Sequence, residues 1–212
     1  MDALGILHLS PVMPVIVVHD AGLAADLAAA LVAGGIRSLE VTLRTPAALA
    51  VIRRMRDAVP DAWVGAGTVL DRTQWEQARD AGAQFGVSPG LTQDLATAVR
   101  AASVPFLPGV ATVSEAMRAR EAGFSTLKFF PAEAAGGRAL LKSLHGPLPE
   151  LRFCPTGGIH AGNAPDYLAL PNVVCVGGSW LVPEEALAAR DWARITAMAR
   201  AASVLGGKHA AA

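Results

Sequence analysis

The sequence predicts an α/β fold, a single-domain (β/α)8 TIM barrel with a short N-terminal helical segment, spanning residues 1–212. Three observations point there. Short β-branched runs alternate with helical apolar stripes. Strand starts recur at intervals of roughly 20 to 27 residues, the spacing of repeated βα units. About eight such units occur, the number that closes a barrel. With 52% hydrophobic and 17% charged residues, the chain can bury a large core and lacks the composition of a disordered one. No Pro/Gly/Ser-rich linker divides it. A doubly wound open sheet is the structural alternative. It carries fewer strands and a glycine-rich turn after the first one, whereas here the glycines collect late, at Gly157-Gly158 and Gly177-Gly178.

The elements follow in order. Val12 to Val18 reads as a buried strand. Asp20 caps the next helix, whose Leu23, Leu27 and Leu31 face inward and which Gly34-Gly35 ends. Ser38 to Arg44 is the second strand. Thr45-Pro46 then offers an N-cap with proline at the first helical position, and Leu49, Ile52 and Met55 face the core. Trp63 to Val69 is the third strand, with Asp71 as the following cap. Phe85 to Pro89 is the fourth, and Leu95 and Val99 mark its helix. Pro105 to Val110 is the fifth, followed by Thr112 and Glu115 at capping-box spacing. The sixth holds Lys128 and ends at Pro131; Leu140, Leu141 and Leu144 stripe its helix. Arg152 to Thr156 is the seventh, with a short helix opening at Asn163-Ala164-Pro165. Val173 to Val176 is the eighth. A last helix runs from Pro183 through Leu187, Trp192, Ile195 and Met198, and the tail from Gly206 reads as frayed.

The totals exclude several functions. Net charge is zero and the pI is near 7.0, so no basic face for nucleic acid is expected. No apolar run is long enough to span a membrane, and Met1-Asp2-Ala3-Leu4 does not open a signal peptide. Cys154 and Cys175 read as reduced core thiols of a cytoplasmic protein, although sequence alone leaves a disulfide between them open. His8, His19, His145, His160 and His209 lack paired ligand spacing, so no metal is expected.

The informative stretch is Ser125 to Glu133, which sets Lys128 in an apolar run. Alternate strand residues share a face, so Lys128 lies with Thr126 and Phe130, away from Leu127 and Phe129. Burying an ammonium without a partner is costly and favours the neutral amine, the nucleophile that a Schiff-base enzyme needs. The plainer reading is a lysine that snorkels to water from a strand end. Against it, the chain prefers arginine, and its only lysines are Lys128, Lys142 and Lys208.

Polar residues at strand ends are the other candidates, because a barrel's active site lies at the C-terminal face. Glu40, Thr42 and Arg44 share one face of the second strand, which puts a carboxylate, a hydroxyl and a guanidinium toward the interior. Thr68 and Pro89 end later strands beside glycines that admit a ligand to the backbone. Thr156-Gly157-Gly158 and Gly177-Gly178-Ser179 follow strands seven and eight, where barrels often hold phosphate on convergent N–H groups.

Six segments occur together and in order: Glu40 to Thr45, Gly65 to Val69, Val87 to Gly90, Lys128 to Glu133, Cys154 to Gly158, and Gly177 to Trp180. In combination the chain resembles the 2-keto-3-deoxy-6-phosphogluconate (KDPG) aldolase family, class I enzymes of the Entner–Doudoroff pathway. The resemblance implies a homotrimer with no metal and no cofactor beyond a covalent Schiff base. It makes Lys128 the Schiff-base lysine and Glu40 the general acid/base. It gives the substrate carboxylate to Arg44 and Thr68, the pocket around the reacting carbon to Pro89 and Phe130, and the phosphate to Gly157, Gly158 and Ser179. Thr156 would lie close to the substrate. One departure is that some relatives carry an arginine near the end of the first strand, where this chain has Val18-His19. Three other readings are weighed: an aldolase for the galactonate epimer or 4-hydroxy-2-oxoglutarate, a sugar-phosphate isomerase or epimerase without a Schiff base, and a non-catalytic sugar-phosphate binding protein.

Overall fold

A computed structural model describes residues 1–206; the expected frayed tail lies almost wholly outside them. The chain begins with α1 (Ala3–His8), capped by Asp2, which accepts the Gly5 N–H at 2.8 Å. Strands and helices then alternate: β1 (Val12–Ile16), α2 (Ala24–Ala33), β2 (Ser38–Thr42), α3 (Ala48–Ala58), β3 (Trp63–Gly67), α4 (Arg72–Asp80), β4 (Gly86–Val87) and α5 (Gln93–Ala101). The second half contains β5 (Phe106–Leu107), β6 (Gly109–Val110), α6 (Val113–Glu121), β7 (Thr126–Phe129), α7 (Gly137–His145), β8 (Arg152–Pro155), α8 (Ala164–Leu168), β9 (Val176–Gly178), α9 (Glu184–Ala188) and α10 (Trp192–Ser203).

The result is a parallel, curled α/β sheet. One ladder runs β5-β4-β3-β2-β1-β9 and a second runs β6-β7-β8. The expected fifth strand is split at Pro108, which has no N–H to give, although its carbonyl still accepts the Lys128 N–H at 2.9 Å. Outward-facing residues such as Leu39, Val41, Leu127 and Phe129 join Ile52, Leu95, Leu141 and Ile195 of the helices in the main core. The concave side is closed at one end by a second cluster. Ile6 and Leu7 of α1 are fully buried there with Met13, Phe85, Leu107, Cys154 and Cys175. Each of those two α1 side chains contributes about 1.5–3 kcal/mol by burial. The N-terminal helix thus stoppers the bottom of the curl.

Several expected boundaries move. Thr45 does not cap α3, which starts at Ala48 without a side-chain cap; its hydroxyl donates instead to the Val18 carbonyl at 2.7 Å. Asp20 caps a 3-10 turn, Ala21–Leu23, ahead of α2. The last helix is two, because Arg190 adopts φ 52 and Asp191 offers a fresh cap to the Arg194 N–H, a local bond that competes with helix continuation. The eighth strand is shifted forward to Val176–Gly178, leaving Val173 as an isolated bridge to Phe153. Gly177 and Gly178 therefore belong to a strand, not to the loop beyond it. Apart from the fifth, which ends at Val110 as expected, the other strands end one or two residues early, but single hydrogen bonds continue the ladders. Leu43 donates to Gly67 at 2.8 Å and Ser88 to Leu107 at 3.1 Å.

Candidate active site

The alternation of β2 turns Leu39 and Val41 to the helices and Glu40 to the concave side. The alternation of β7 does the same for Lys128. The two strands are not neighbours in either ladder, so the side chains meet across the interior. Lys128 Nζ lies 3.2 Å from Glu40 Oε1, with the side chains 4% and 2% exposed. Two opposite charges out of water offset each other's desolvation only in close geometry of this kind. Lys128 Nζ also sits 5.3 Å from the centre of the Phe130 ring, within the range of a cation–π contact. Lys128, Phe130 and Glu40 thus lie together on the concave side.

Gly67 makes the arrangement possible. A Cβ at that position would lie 2.2 Å from Glu40 Oε1, so any other residue displaces the carboxylate. Thr42, grouped with Glu40 and Arg44 from sequence, has its hydroxyl engaged by the Ile16 carbonyl at 2.9 Å and ties β2 to β1. Arg44 and Thr68 come together at the rim: Arg44 Nε donates to Thr68 Oγ1 at 3.1 Å. Thr68 has φ 59, a left-handed backbone that a β-branched residue adopts only under constraint.

Pro89 makes no hydrogen bond to these groups among the described residues. Its backbone presses on Gly109, where a Cβ would come within 2.2 Å of the Pro89 carbonyl. Gly109 is the register partner of Lys128, so Pro89 abuts the lysine's strand. On the other side, Thr156 is buried and bridges Gly177, where a Cβ would lie 2.2 Å from Thr156 Oγ1. Gly157 and Gly158 follow with φ 101 and 78. The bridge sets this turn beside the end of β9, where Ser179 is exposed.

Two residues at this edge were not singled out from sequence. Tyr167 on α8 donates its hydroxyl to Glu133 Oε1. Burial, then the Glu133 carboxylate, pushes the Tyr167 hydroxyl above its ordinary value. A signal existed, since this is the chain's single tyrosine and Glu133 closes the segment around Lys128. Cys154 and Cys175 are both free and buried, and burial pushes the Cys175 thiol well up. Among the described residues no three His, Cys, Asp or Glu side chains converge as a metal site, and no helix is long and apolar enough to cross a membrane.

Comparison with known proteins agrees with this geometry. The model of the KDPG and KHG aldolase family matches residues 4–198. The KHG/KDPG aldolase of Escherichia coli (strain K12) is 53% identical over 95% of this chain and 94% of its own. The 2-dehydro-3-deoxy-phosphogluconate aldolase of Pseudoalteromonas atlantica is 52% identical over 91% and 89%. Among solved structures, KDPG aldolase from Legionella pneumophila, with pyruvate captured at low pH as a covalent carbinolamine intermediate, superposes with TM-score 0.94. It is 47% identical and covers 96% of this chain and 98% of its own. A lysine and a carboxylate meeting inside a curled parallel sheet, in a chain with relatives this close, leave one assignment: the protein belongs to the KDPG and KHG aldolase family.

Proposed function

We propose that the protein is a class I aldolase, an aldehyde-lyase that cleaves 2-keto-3-deoxy-6-phosphogluconate to pyruvate and glyceraldehyde 3-phosphate. The observation that carries this is the 3.2 Å approach of Lys128 Nζ to Glu40 Oε1 on the concave side of the sheet. An amine so placed has a proton acceptor in hydrogen-bond reach, the geometry general base catalysis requires. The pyruvate carbinolamine in the Legionella pneumophila enzyme supports the same chemistry.

Lys128 attacks the C2 ketone, giving a carbinolamine. Loss of water, with proton transfer through Glu40, leaves an iminium ion that acts as an electron sink. Glu40 takes the proton from the C4 hydroxyl, the C3–C4 bond breaks, and its electron pair flows into the iminium to give an enamine. Glyceraldehyde 3-phosphate departs. Glu40 returns a proton to C3, and water releases pyruvate and the free amine. Arg44 and Thr68 hold the substrate carboxylate, supported by their mutual contact at the rim. Pro89 and Phe130 shape the space around the reacting carbon. Thr156 contacts the substrate, while the Gly157 and Gly158 N–H groups and Ser179 hold the phosphate.

The same reading takes the chain as one domain with eight strands closed into a (β/α)8 barrel. The Thr156–Gly177 bridge supports closure, because it ties β8 to β9, which already pairs with β1. It further takes the protein as a cytoplasmic homotrimer acting without a metal or other cofactor. Free buried cysteines fit a reducing compartment, and the exposed Leu70, Val113 and Met117 offer apolar surface for subunit contact. Cleavage of 4-hydroxy-2-oxoglutarate is a second activity, favoured by the dual name of the Escherichia coli relative.

The test is pyruvate release from 2-keto-3-deoxy-6-phosphogluconate with chelator present. Wild type turns over, Lys128→Ala does not, and borohydride with pyruvate marks Lys128 covalently. Turnover in Lys128→Ala, or no adduct in wild type, overturns the reading.

A further inference from the structure

The Gly157-Gly158 turn is held through its carbonyls, one at a time. The Ala132 N–H donates to the Thr156 carbonyl at 2.8 Å and the Glu133 N–H to Gly157 at 3.1 Å. Asn163 Nδ2 donates to Gly158 at 3.0 Å. Neither Gly157 nor Gly158 gives its own N–H to a partner among the described residues.

Glu133 lies against this turn. A Cβ at Gly158 would come within 2.6 Å of Glu133 Cγ. The hydroxyl that Glu133 accepts comes from Tyr167, which is fully buried, and a Cβ at Gly137 would lie 3.0 Å from that oxygen. Side chains are thus omitted at two places around one hydrogen bond. Its physical consequence concerns charge. A carboxylate beside free N–H groups would cap them itself, and would repel an incoming phosphate. The Tyr167 hydroxyl instead engages that carboxylate.

We infer that Tyr167, acting through Glu133, is a positioning residue that keeps the Gly157 and Gly158 N–H groups open for phosphate and so sets the preference for phosphorylated over unphosphorylated keto acids. The inference rests on the aldolase reading above. Once Tyr167 loses its hydroxyl, Glu133 turns toward the nearest donors and competes with the substrate for them. The reacting end at Lys128 is untouched.

The experiment compares 2-keto-3-deoxy-6-phosphogluconate with unphosphorylated 2-keto-3-deoxygluconate, and follows borohydride trapping of pyruvate in parallel. In Tyr167→Phe, KM for the phosphorylated substrate rises about tenfold, the loss typical of one hydrogen bond to a charged group. Its kcat, the KM for the unphosphorylated substrate and trapping stay at wild-type values. Combined with Tyr167→Phe, Glu133→Gln removes the competing charge and returns KM for the phosphorylated substrate to the wild-type value. Should Tyr167→Phe fail to fold, Tyr167 remains testable through Glu133→Ala at its exposed partner. That variant removes the competing carboxylate along with the bond, so the inference requires its KM for the phosphorylated substrate to stay at the wild-type value, and a rise there overturns it. Equal effects on both substrates, or none in Tyr167→Phe, with trapping intact, overturn this inference alone. Absence of trapping in wild type overturns the aldolase reading with it.

Discussion

Glu40 occupies space that Gly67 leaves empty: a Cβ on Gly67 would stand 2.2 Å from the carboxylate oxygen that meets Lys128. The two positions lie on paired strands, two residues out of register, with Glu40 opposite Gly65 and Thr42 opposite Gly67. Gly67→Ala therefore pushes the carboxylate off its place. A misplacement of this size costs about 100-fold in rate, and overpacking costs about 1–3 kcal/mol of stability. Steady-state kinetics beside a urea titration separates the two effects, and kcat within a fewfold of wild type would refute the role given to Gly67.

Lys128 and Glu40 are buried together, so removing either strands the other. Lys128→Met or Glu40→Leu alone is expected to cost about 3–5 kcal/mol, while the double substitution costs less than the sum of the two. A double-mutant cycle by chemical denaturation measures the coupling, and additive losses would show that the pair is not coupled.

Thr68 holds a left-handed backbone to reach Arg44. Thr68→Gly relieves strain worth about 1–2 kcal/mol, in part offset by the greater freedom of glycine in the unfolded chain. It also removes the hydroxyl that Arg44 donates to. The expected pattern is stability equal to or above wild type, with a raised KM for both phosphorylated and unphosphorylated keto acids. Thermal melts and kinetics on the two substrates check it.

The capping box of α6 predicts a pH effect on stability. Glu115 is held below the ordinary carboxylate value of 4.5, first by the backbone N–H of Ala111 and then by its bonds with Thr112, against the opposing effect of burial. A depressed folded value means its stabilisation is fully present above about pH 4.5 and is lost as pH falls through the lower folded value. The Tm difference between wild type and Glu115→Gln should therefore shrink as the pH drops below 4.5, and a difference that grows there would contradict the assignment. Thr112→Ala should cost about 1 kcal/mol at neutral pH.

Local pattern was enough for much of the fold. The caps at Asp71 and Thr112 and the facing of Glu40 and Lys128 were legible because period-two alternation and capping bonds involve residues close in sequence. Boundaries set by distant partners were not. Thr45 reads as a cap, but the Val18 carbonyl takes its hydroxyl. Val173 reads as strand, but pairing with β1 begins where Val12 meets Val176.

The amino-acid order by itself determined a repeated βα chain with a lysine and a carboxylate on strand faces that point away from the helices, and the motifs that mark its family. Tertiary structure alone decided that these two groups meet at 3.2 Å, that Gly67 yields the room, and that Tyr167 reaches Glu133. The reason is that each of these contacts joins residues separated by tens of positions, and only the curvature of the sheet brings such positions within reach of one another.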